Sequence, residues 1–188
     1  PTRRSSDLLP LGPRSELAVA EADARGGVLV FGGRTLQTGT PHGDTWRFEE
    51  DDWVRWRSTQ PWPPPRKRHA AAYMPDRGRW LIAGGVVARD DEVLTDAWSW
   101  DGQSWTRETD IPRLKWPMLV WDEAREVMVL FGTLPTTPQT EVWELELGRW
   151  QRKAALPRGS YAGVAAYLAA LGGDVGRGLL RILAHPES

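Results

Sequence analysis

The stretch from Ala70 to Arg107, AAAYMPDRGRWLIAGGVVARDDEVLTDAWSWDGQSWTR, decides the fold. It contains four runs of strand length, at residues 70–74, 80–83, 96–101 and 104–107. The runs are separated by a Pro-Asp-Arg-Gly turn, by a Gly-Gly pair with a polar loop, and by Gly102. Apolar and aromatic runs bounded by Gly, Pro and Asp predict four short antiparallel strands.

The landmarks of this stretch recur along the chain. The Gly pair occurs as Gly32-Gly33, Gly84-Gly85 and Gly172-Gly173, with Gly132-Thr133 as a degenerate copy. An acidic residue two positions before a Trp occurs as Asp44/Trp46, Asp96/Trp98 and Glu141/Trp143. A second Trp closes each unit, as Trp53 or Trp56, then Trp105, then Trp150. A Pro-Arg pair opens the next unit, as Pro65-Arg66, Pro112-Arg113 and Pro157-Arg158.

The spacing of these landmarks is that of a repeat protein. Equivalent Trp residues of the acidic-x-Trp element are separated by 52 and then 45 positions. This is the range for one four-stranded propeller blade. We therefore interpret Gly32, Gly33, Asp44, Trp46, Gly84, Gly85, Asp96, Trp98, Trp105, Glu141, Trp143 and Trp150 as structural residues of the repeat. Trp side chains at such positions are expected to fill the space between blades.

The order of hydrophobic run, Gly-Gly, acidic-x-Trp, Trp and Pro-Arg resembles the kelch repeat, in particular that of bacterial kelch-containing proteins. The resemblance covers residues 17–173. It implies an all-β fold, a partial kelch-type β-propeller with about three four-stranded antiparallel blades and a degenerate fourth. Strands are predicted at 17–20, 28–31, 45–48 and 53–56 in the first blade, and at 117–121, 127–131, 142–145 and 149–152 in the third.

The repeat also predicts how the chain is divided. We expect a leader over 1–16, blades over 17–57, 58–108 and 109–153, an incomplete fourth blade over 154–173 and an irregular or short helical tail over 174–188. The first eight residues, PTRRSSDL, resemble a translated sequencing adapter. They are interpreted as a scar, with a disordered basic leader as the alternative. Three blades do not close a ring, so we expect a fragment whose missing blades, or another chain, complete it.

Composition excludes several classes of function. The formal net charge of −1 gives no sign of bulk binding to nucleic acid, and no apolar stretch reaches the ~18 residues of a membrane span. Zero Cys excludes disulfides and thiolate metal sites but leaves the cellular compartment undecided. The three His residues lack ligand spacing, and Asp90-Asp91-Glu92 is interpreted as a solvated loop. No metal and no cofactor is therefore predicted.

Alternation of strands places two sets of long loops on one side of a propeller. They connect strands two and three (34–43, 86–95 and 134–139) and successive blades (58–69, 110–116 and 154–160). We call this side the loop-rich face and expect binding there. Its basic candidates are Arg34, His42, Arg66, Arg68, His69, Arg89, Arg113 and Arg158. They predict a rim for carboxylates of a peptide or an acidic sugar.

Some of these residues have a structural alternative. Arg66, Arg113 and Arg158 recur with the repeat and could instead bond carbonyl groups of the neighbouring blade, and a structural role is preferred for His69. Arg34, Arg68 and Arg89 do not recur and are the stronger ligand candidates.

Two functions remain open from the sequence. The first is a non-catalytic module that binds a protein or a glycan through the loop-rich face. The alternative is a fragment of a carbohydrate-active kelch-fold enzyme, such as a sialic-acid isomerase. No nucleophile elbow or phosphate loop occurs in the sequence, and zero Cys excludes a crosslinked copper radical site. The sequence therefore favours binding over catalysis.

Overall fold

The computed structural model describes residues 11–20, 27–49, 52–56, 62–87 and 92–156. All regular elements of these segments are β-strands, and none of the described residues is in an α-helix. The strands are β1 (Arg14–Ser15), β2 (Ala18–Ala20), β3 (Val28–Phe31), β4 (Arg34–Thr35), β5 (Thr45–Glu49), β6 (Asp52–Trp56), β7 (Ala70–Met74), β8 (Arg79–Ala83), β9 (Ala97–Trp100), β10 (Trp105–Arg107), β11 (Lys115–Asp122), β12 (Val127–Thr133), β13 (Thr140–Glu146) and β14 (Arg149–Leu156).

Twelve of the strands form three antiparallel four-stranded sheets in chain order. Their strand orders are β2-β3-β5-β6, β7-β8-β9-β10 and β11-β12-β13-β14. The short strands β1 and β4 form a separate two-stranded sheet. We refer to the three large sheets as sheets one, two and three. The arrangement is all-β and propeller-like, and it is not closed.

The first strands of the sheets lie side by side. β7, at the inner edge of sheet two, contacts both β2 of sheet one and β11 of sheet three. Such contacts are expected where successive blades surround a common axis. Because strand direction alternates within each sheet, the long connections then gather at one end of this axis.

The strand β8 shows why the repeat contains an unbroken apolar run. Trp80 and Ile82 belong to a core shared with Leu29 and Phe31 of sheet one, whereas Leu81 and Ala83 belong to a core shared with sheet three. Successive side chains of a strand face opposite sides of its sheet. A central strand between two neighbouring sheets must therefore be apolar on both sides.

Tryptophan dominates the core between sheets one and two. The Trp100 ring lies 5.3 Å from the Trp105 ring, 5.9 Å from Trp56 and 6.4 Å from Trp62, measured between centroids. The Trp105 indole Nε1 donates a hydrogen bond of 3.0 Å to Thr45 Oγ1, so the two sheets are joined by a polar contact as well.

Sheet three extends further than the sequence indicates. β14 continues to Leu156 rather than ending at Arg152, and its pairing with β13 goes on past a shift of register between Val142 and Trp143. The predicted fourth blade beyond this point, with Gly172-Gly173, and the predicted tail lie outside the described residues. No helix in the described part of the chain is long and apolar enough to cross a membrane.

Candidate functional site

Arg66 is a structural cation of sheet two. Its guanidinium is fully buried and donates to both carboxylate oxygens of Asp96, at 2.9 and 2.6 Å, and to the Gly84 carbonyl at 3.1 Å. The side chain thereby joins the segment that enters β7 to the loop between β8 and β9. The backbone of Arg66, in contrast, links sheets one and two, since Gly33 N donates a hydrogen bond of 2.9 Å to Arg66 O.

Arg14 repeats this arrangement in sheet one. Its guanidinium contacts the Asp44 carboxylate at 2.6 and 3.2 Å and the Gly32 carbonyl at 3.1 Å. The sequence reasoning missed Arg14, although the pair Pro13-Arg14 precedes Pro65-Arg66 by the same 52 positions that separate Trp46 from Trp98.

The acidic-x-Trp element completes each structural cluster. The indole Nε1 of Trp46, Trp98 and Trp143 donates to the acidic residue two positions earlier, at 2.7, 2.6 and 3.0 Å. Burial alone would raise the pKa of Asp44 and Asp96. The Arg and Trp donors outweigh burial, and the pKa of each carboxyl lies below its usual value.

Sheet three departs from this pattern. Leu114 is fully buried and lies against Gly132, where a β-carbon would come within 2.6 Å of it. The cation for Glu141 comes instead from Arg152 on β14, with Nε at 2.7 Å. Arg113, predicted to recur with the repeat, is exposed.

Strand pairing shows which residues are equivalent in the three sheets. Ser15 pairs with Arg34, Lys67 with Val86, and Lys115 with Thr133. The residue preceding the first member of each pair is Arg14, Arg66 or Leu114. In sheet three, the position that Arg14 and Arg66 hold in the other two sheets is therefore occupied by Leu114 and not by Arg113.

The residue that follows Ser15, Lys67 or Lys115 in the chain has an unusual backbone conformation in each sheet. Glu16, Arg68 and Trp116 have φ angles of +57°, +55° and +48°. Left-handed backbone is uncommon for residues other than Gly. Its recurrence at one position of all three sheets shows that the turn into the first strand requires it. The backbone is constant there, while the side chain is an acid, a base or an aromatic ring.

Glu16 is the anion of a basic cluster on the loop-rich face. Its carboxylate lies 2.9 Å from Arg68 Nη2, 3.2 Å from Arg34 Nε and 3.9 Å from Lys67 Nζ. Three cations share this carboxylate. Arg34 and Arg68, two predicted ligand candidates, are brought together by Glu16, which the sequence reasoning did not single out.

A cavity of about 170 Å³ adjoins this cluster. It is lined by Arg68, Gly85, Val86, Leu114, Lys115 and Trp116. The Trp116 side chain is 59% exposed, more than any other described Trp. Large aromatic groups on a protein surface commonly serve in binding. No sequence signal indicates this role, because Trp116 follows a Pro-Arg element and is one of 12 Trp residues.

The two histidines of this region have structural surroundings. His42 Nε2 lies 2.8 Å from Thr35 Oγ1, and burial together with the Arg14 charge lowers the pKa of His42. His69 packs edge-on against Phe31, and neither ring nitrogen has a hydrogen-bond partner of normal geometry among the described residues. Burial and the nearby Arg66 charge lower the pKa of His69 to about 3. The imidazole of His69 is therefore neutral at physiological pH.

Two further candidates cannot be located. Arg89 and Arg158 lie outside the described residues. The structure thus brings Arg34 and Arg68 together, places Arg66 and His69 in the interior, and leaves Arg113 exposed. Among the described residues, no cluster of His, Asp and Glu could hold a metal ion.

A larger open cleft, of about 620 Å³, lies on the opposite face between the turns of sheets two and three. Several of its charged groups form ion pairs within the cleft or with residues beside it. Arg125 contacts Asp122 and Glu144 at 2.6 and 2.7 Å, and Lys153 contacts Glu144 at 3.6 Å and also Glu146.

Taken together, the sheets and the basic cavity define an all-β protein with a propeller-like arrangement and a loop-rich face. The solved structure "Structure of YjhT" is similar to this chain, with a TM-score of 0.54, 11% sequence identity, and coverage of 77% of this chain and 47% of that chain. This chain thus spans about half the length of that structure. At this identity the similarity concerns the fold alone. No protein-family model matches the chain, and no curated protein matches it. The sheets fit a kelch-like fold.

Proposed function

We propose that the chain is a non-catalytic kelch-type propeller module that binds an acidic protein or glycan through its loop-rich face. The observation that carries the proposal is the cavity beside Arg68, where Lys115 and the exposed Trp116 are also found. Arg can bind a carboxylate through two parallel hydrogen bonds, and an exposed aromatic ring offers a flat apolar surface.

Glu16 supports this proposal by ordering the arginines. Side chains of Arg lose considerable rotamer freedom when a ligand fixes them. The contacts of Glu16 with Arg34 and Arg68 restrict that freedom before a ligand arrives.

A binding panel of acidic peptides and acidic glycans tests the proposal. The variants Arg34→Gln, Arg68→Gln and Arg89→Gln are each expected to weaken binding of the ligand found, with Arg68→Gln losing about tenfold, because one charge-assisted hydrogen bond contributes about 1.5–3 kcal/mol. Arg107→Gln is the charge-matched control, since Arg107 pairs with Asp110 on an exposed strand outside the cavity. Unchanged affinity in all three test variants would rule out this site.

The enzyme alternative rests on Glu16 and Arg68 lying in contact, with His42 in the neighbouring loop. Such a set predicts sugar turnover by the full-length protein. We favour binding, because three cations hold the Glu16 carboxylate and His42 is engaged by Thr35. Turnover that is lost in Glu16→Gln would favour the enzyme.

A further inference from the structure

The lining of the cavity beside Arg68 has an unusual composition. Its described side chains are the two cations Arg68 and Lys115, the indole of Trp116 and the apolar Val86 and Leu114, with Gly85 contributing no side chain. No hydroxyl, amide or carboxylate side chain is among these lining residues. The side chains can therefore donate hydrogen bonds but cannot accept them.

This composition discriminates between acidic ligands. A sugar acid carries several hydroxyl groups, and a site that recognises them normally supplies acceptors as well as donors. Burying hydroxyl groups without partners is unfavourable. An acidic ligand whose remainder is apolar avoids this penalty, since its ring can pack on Trp116 and its carboxylate can meet Arg68 or Lys115.

The volume of the cavity also favours a small apolar acid over a sugar acid chain. Sites for drug-sized ligands commonly measure about 300–1,000 Å³. The cavity, at about 170 Å³, is smaller and suits one residue or one small ring.

Building on the proposed function, we infer that this site recognises an apolar carboxylate: a carboxylate that lies close to an aromatic or other apolar group in a small ligand or chain end. The C-terminus of a peptide ending in an aromatic residue has this chemistry, and so does a small aromatic acid. Arg68 and Lys115 bind the carboxylate, and Trp116 packs against the apolar group.

The repeat identifies the residue that sets this specificity. Glu16, Arg68 and Trp116 occupy equivalent positions with nearly the same left-handed backbone. Neighbouring positions of sheets one and two retain the structural Arg and Asp, while this position changes its chemistry from sheet to sheet. An acid at position 116 would repel the carboxylate, whereas the indole accepts an apolar group.

Calorimetric titration of the full chain with three probes tests the inference. N-acetylphenylalanine carries a carboxylate and a ring, its amide lacks the charge, and glucuronate carries the charge on a sugar. We expect N-acetylphenylalanine to bind at least tenfold more tightly than either of the other two. The peptide Ala-Ala-Phe and benzoate then distinguish a peptide terminus from a small acid, and tight binding of either supports the shared chemistry.

Variants at the specificity position provide the second arm. Trp116→Asn, a residue type that tolerates positive φ, should reduce affinity for N-acetylphenylalanine about tenfold, and Trp116→Phe should retain most of it. Leu147→Ala is the control, because Leu147 is fully exposed on a turn at the opposite face and also has positive φ. An unchanged affinity in Trp116→Asn would refute the assignment of Trp116.

The outcomes separate this inference from the proposed function. If glucuronate, or an acidic polymer such as polyglutamate, binds in an Arg68-dependent way and N-acetylphenylalanine does not, the apolar-carboxylate inference fails and the binding face stands. If none of these anions binds in an Arg68-dependent way, both fail.

Discussion

The buried His69 side chain makes the stability of the fold depend on pH. Its imidazole lies between the loop-rich face and the Phe31 ring, where a charged ring would be desolvated and would meet the Arg66 charge. The folded state therefore holds His69 neutral, with a pKa of about 3. The unfolded chain restores the ordinary pKa of about 6.5.

Stability should consequently fall in mild acid. Between pH 6.5 and about 3 the unfolded chain binds a proton at His69 that the folded chain does not, so the free energy of unfolding decreases as pH falls. The slope approaches about 1.4 kcal/mol per pH unit. His69→Leu should reduce this slope in urea unfolding at pH 7, 6 and 5. The residual slope of the variant includes His42, whose pKa is also lowered. A slope equal to that of the parent would contradict the prediction.

The carboxylates act at lower pH and in the same direction. The folded pKa values of Asp44 and Asp96 lie below the ordinary 3.8, so their stabilisation is complete above that pH and is lost as pH falls through the lowered values. Acid unfolding below about pH 4 thus combines both causes, whereas above pH 4 the dependence comes from the histidines, His69 and His42, and not from these carboxylates.

At the scale of the element, the turn into the first strand of sheets one and two relies on one buried cation, and sheet three obtains its cation differently. Arg14 and Arg66 reach the acidic residue from the segment before the sheet, whereas Arg152 reaches Glu141 from within it. In sheet three, Leu114 lies at the position equivalent to Arg14 and Arg66 and makes apolar contacts there. All three sheets therefore contain the acidic residue and the Trp, but the strand or segment that supplies the cation for the acidic residue differs in sheet three.

The two kinds of cation should differ in their effect on stability. Arg66→Met removes a fully buried partner from Asp96 and should lower the free energy of unfolding by about 3 kcal/mol or more, because an uncompensated buried charge remains. Arg152→Met removes a half-exposed partner, whose place beside Glu141 water can take, and should therefore cost less than Arg66→Met. Urea denaturation compares the two identical replacements, and a failure of Arg66→Met to fold agrees with the larger loss. Equal losses would show that the two positions are equivalent.

At the scale of the whole molecule, sheets one and two are joined by large aromatic surfaces together with specific polar contacts. Trp80, Trp100 and Trp105 are almost fully buried between sheets one and two, and the bond from Trp105 to Thr45 crosses that interface. Such a bond fixes how the sheets are positioned relative to each other, which apolar packing alone specifies less strictly.

Thr45→Val should therefore destabilise the interface between sheets one and two. The change keeps the side-chain shape but leaves the buried indole Nε1 of Trp105 without an acceptor, at a cost of about 1–3 kcal/mol. The Trp105 indole proton should also exchange faster in nuclear magnetic resonance measurements. Thr106→Val, at an exposed position of β10, is the matched control and should change the free energy of unfolding little. Equal effects of the two replacements would contradict this account of the interface.

The sequence by itself determined the strands and their antiparallel order, because Gly-Gly, acidic-x-Trp and Pro-Arg recur at fixed spacing and each has a local physical cause. The tight turns require positive φ at Gly84 and Gly85, and the indole of Trp98 binds an acid only two positions away. Such signals are short-range and can be read along the chain.

Only the tertiary structure decided the candidate site. Glu16 and Arg68 are 52 positions apart and meet because the turns of successive sheets stack around one axis. Trp116 is exposed, whereas the other Trp residues are buried or half-buried. The fully buried Leu114 occupies the structural position two residues earlier, and Trp116 itself has left-handed backbone. Residue type and spacing do not encode exposure or long-range pairing. The repeat could thus be recognised from sequence, whereas the cavity that breaks its regularity could not.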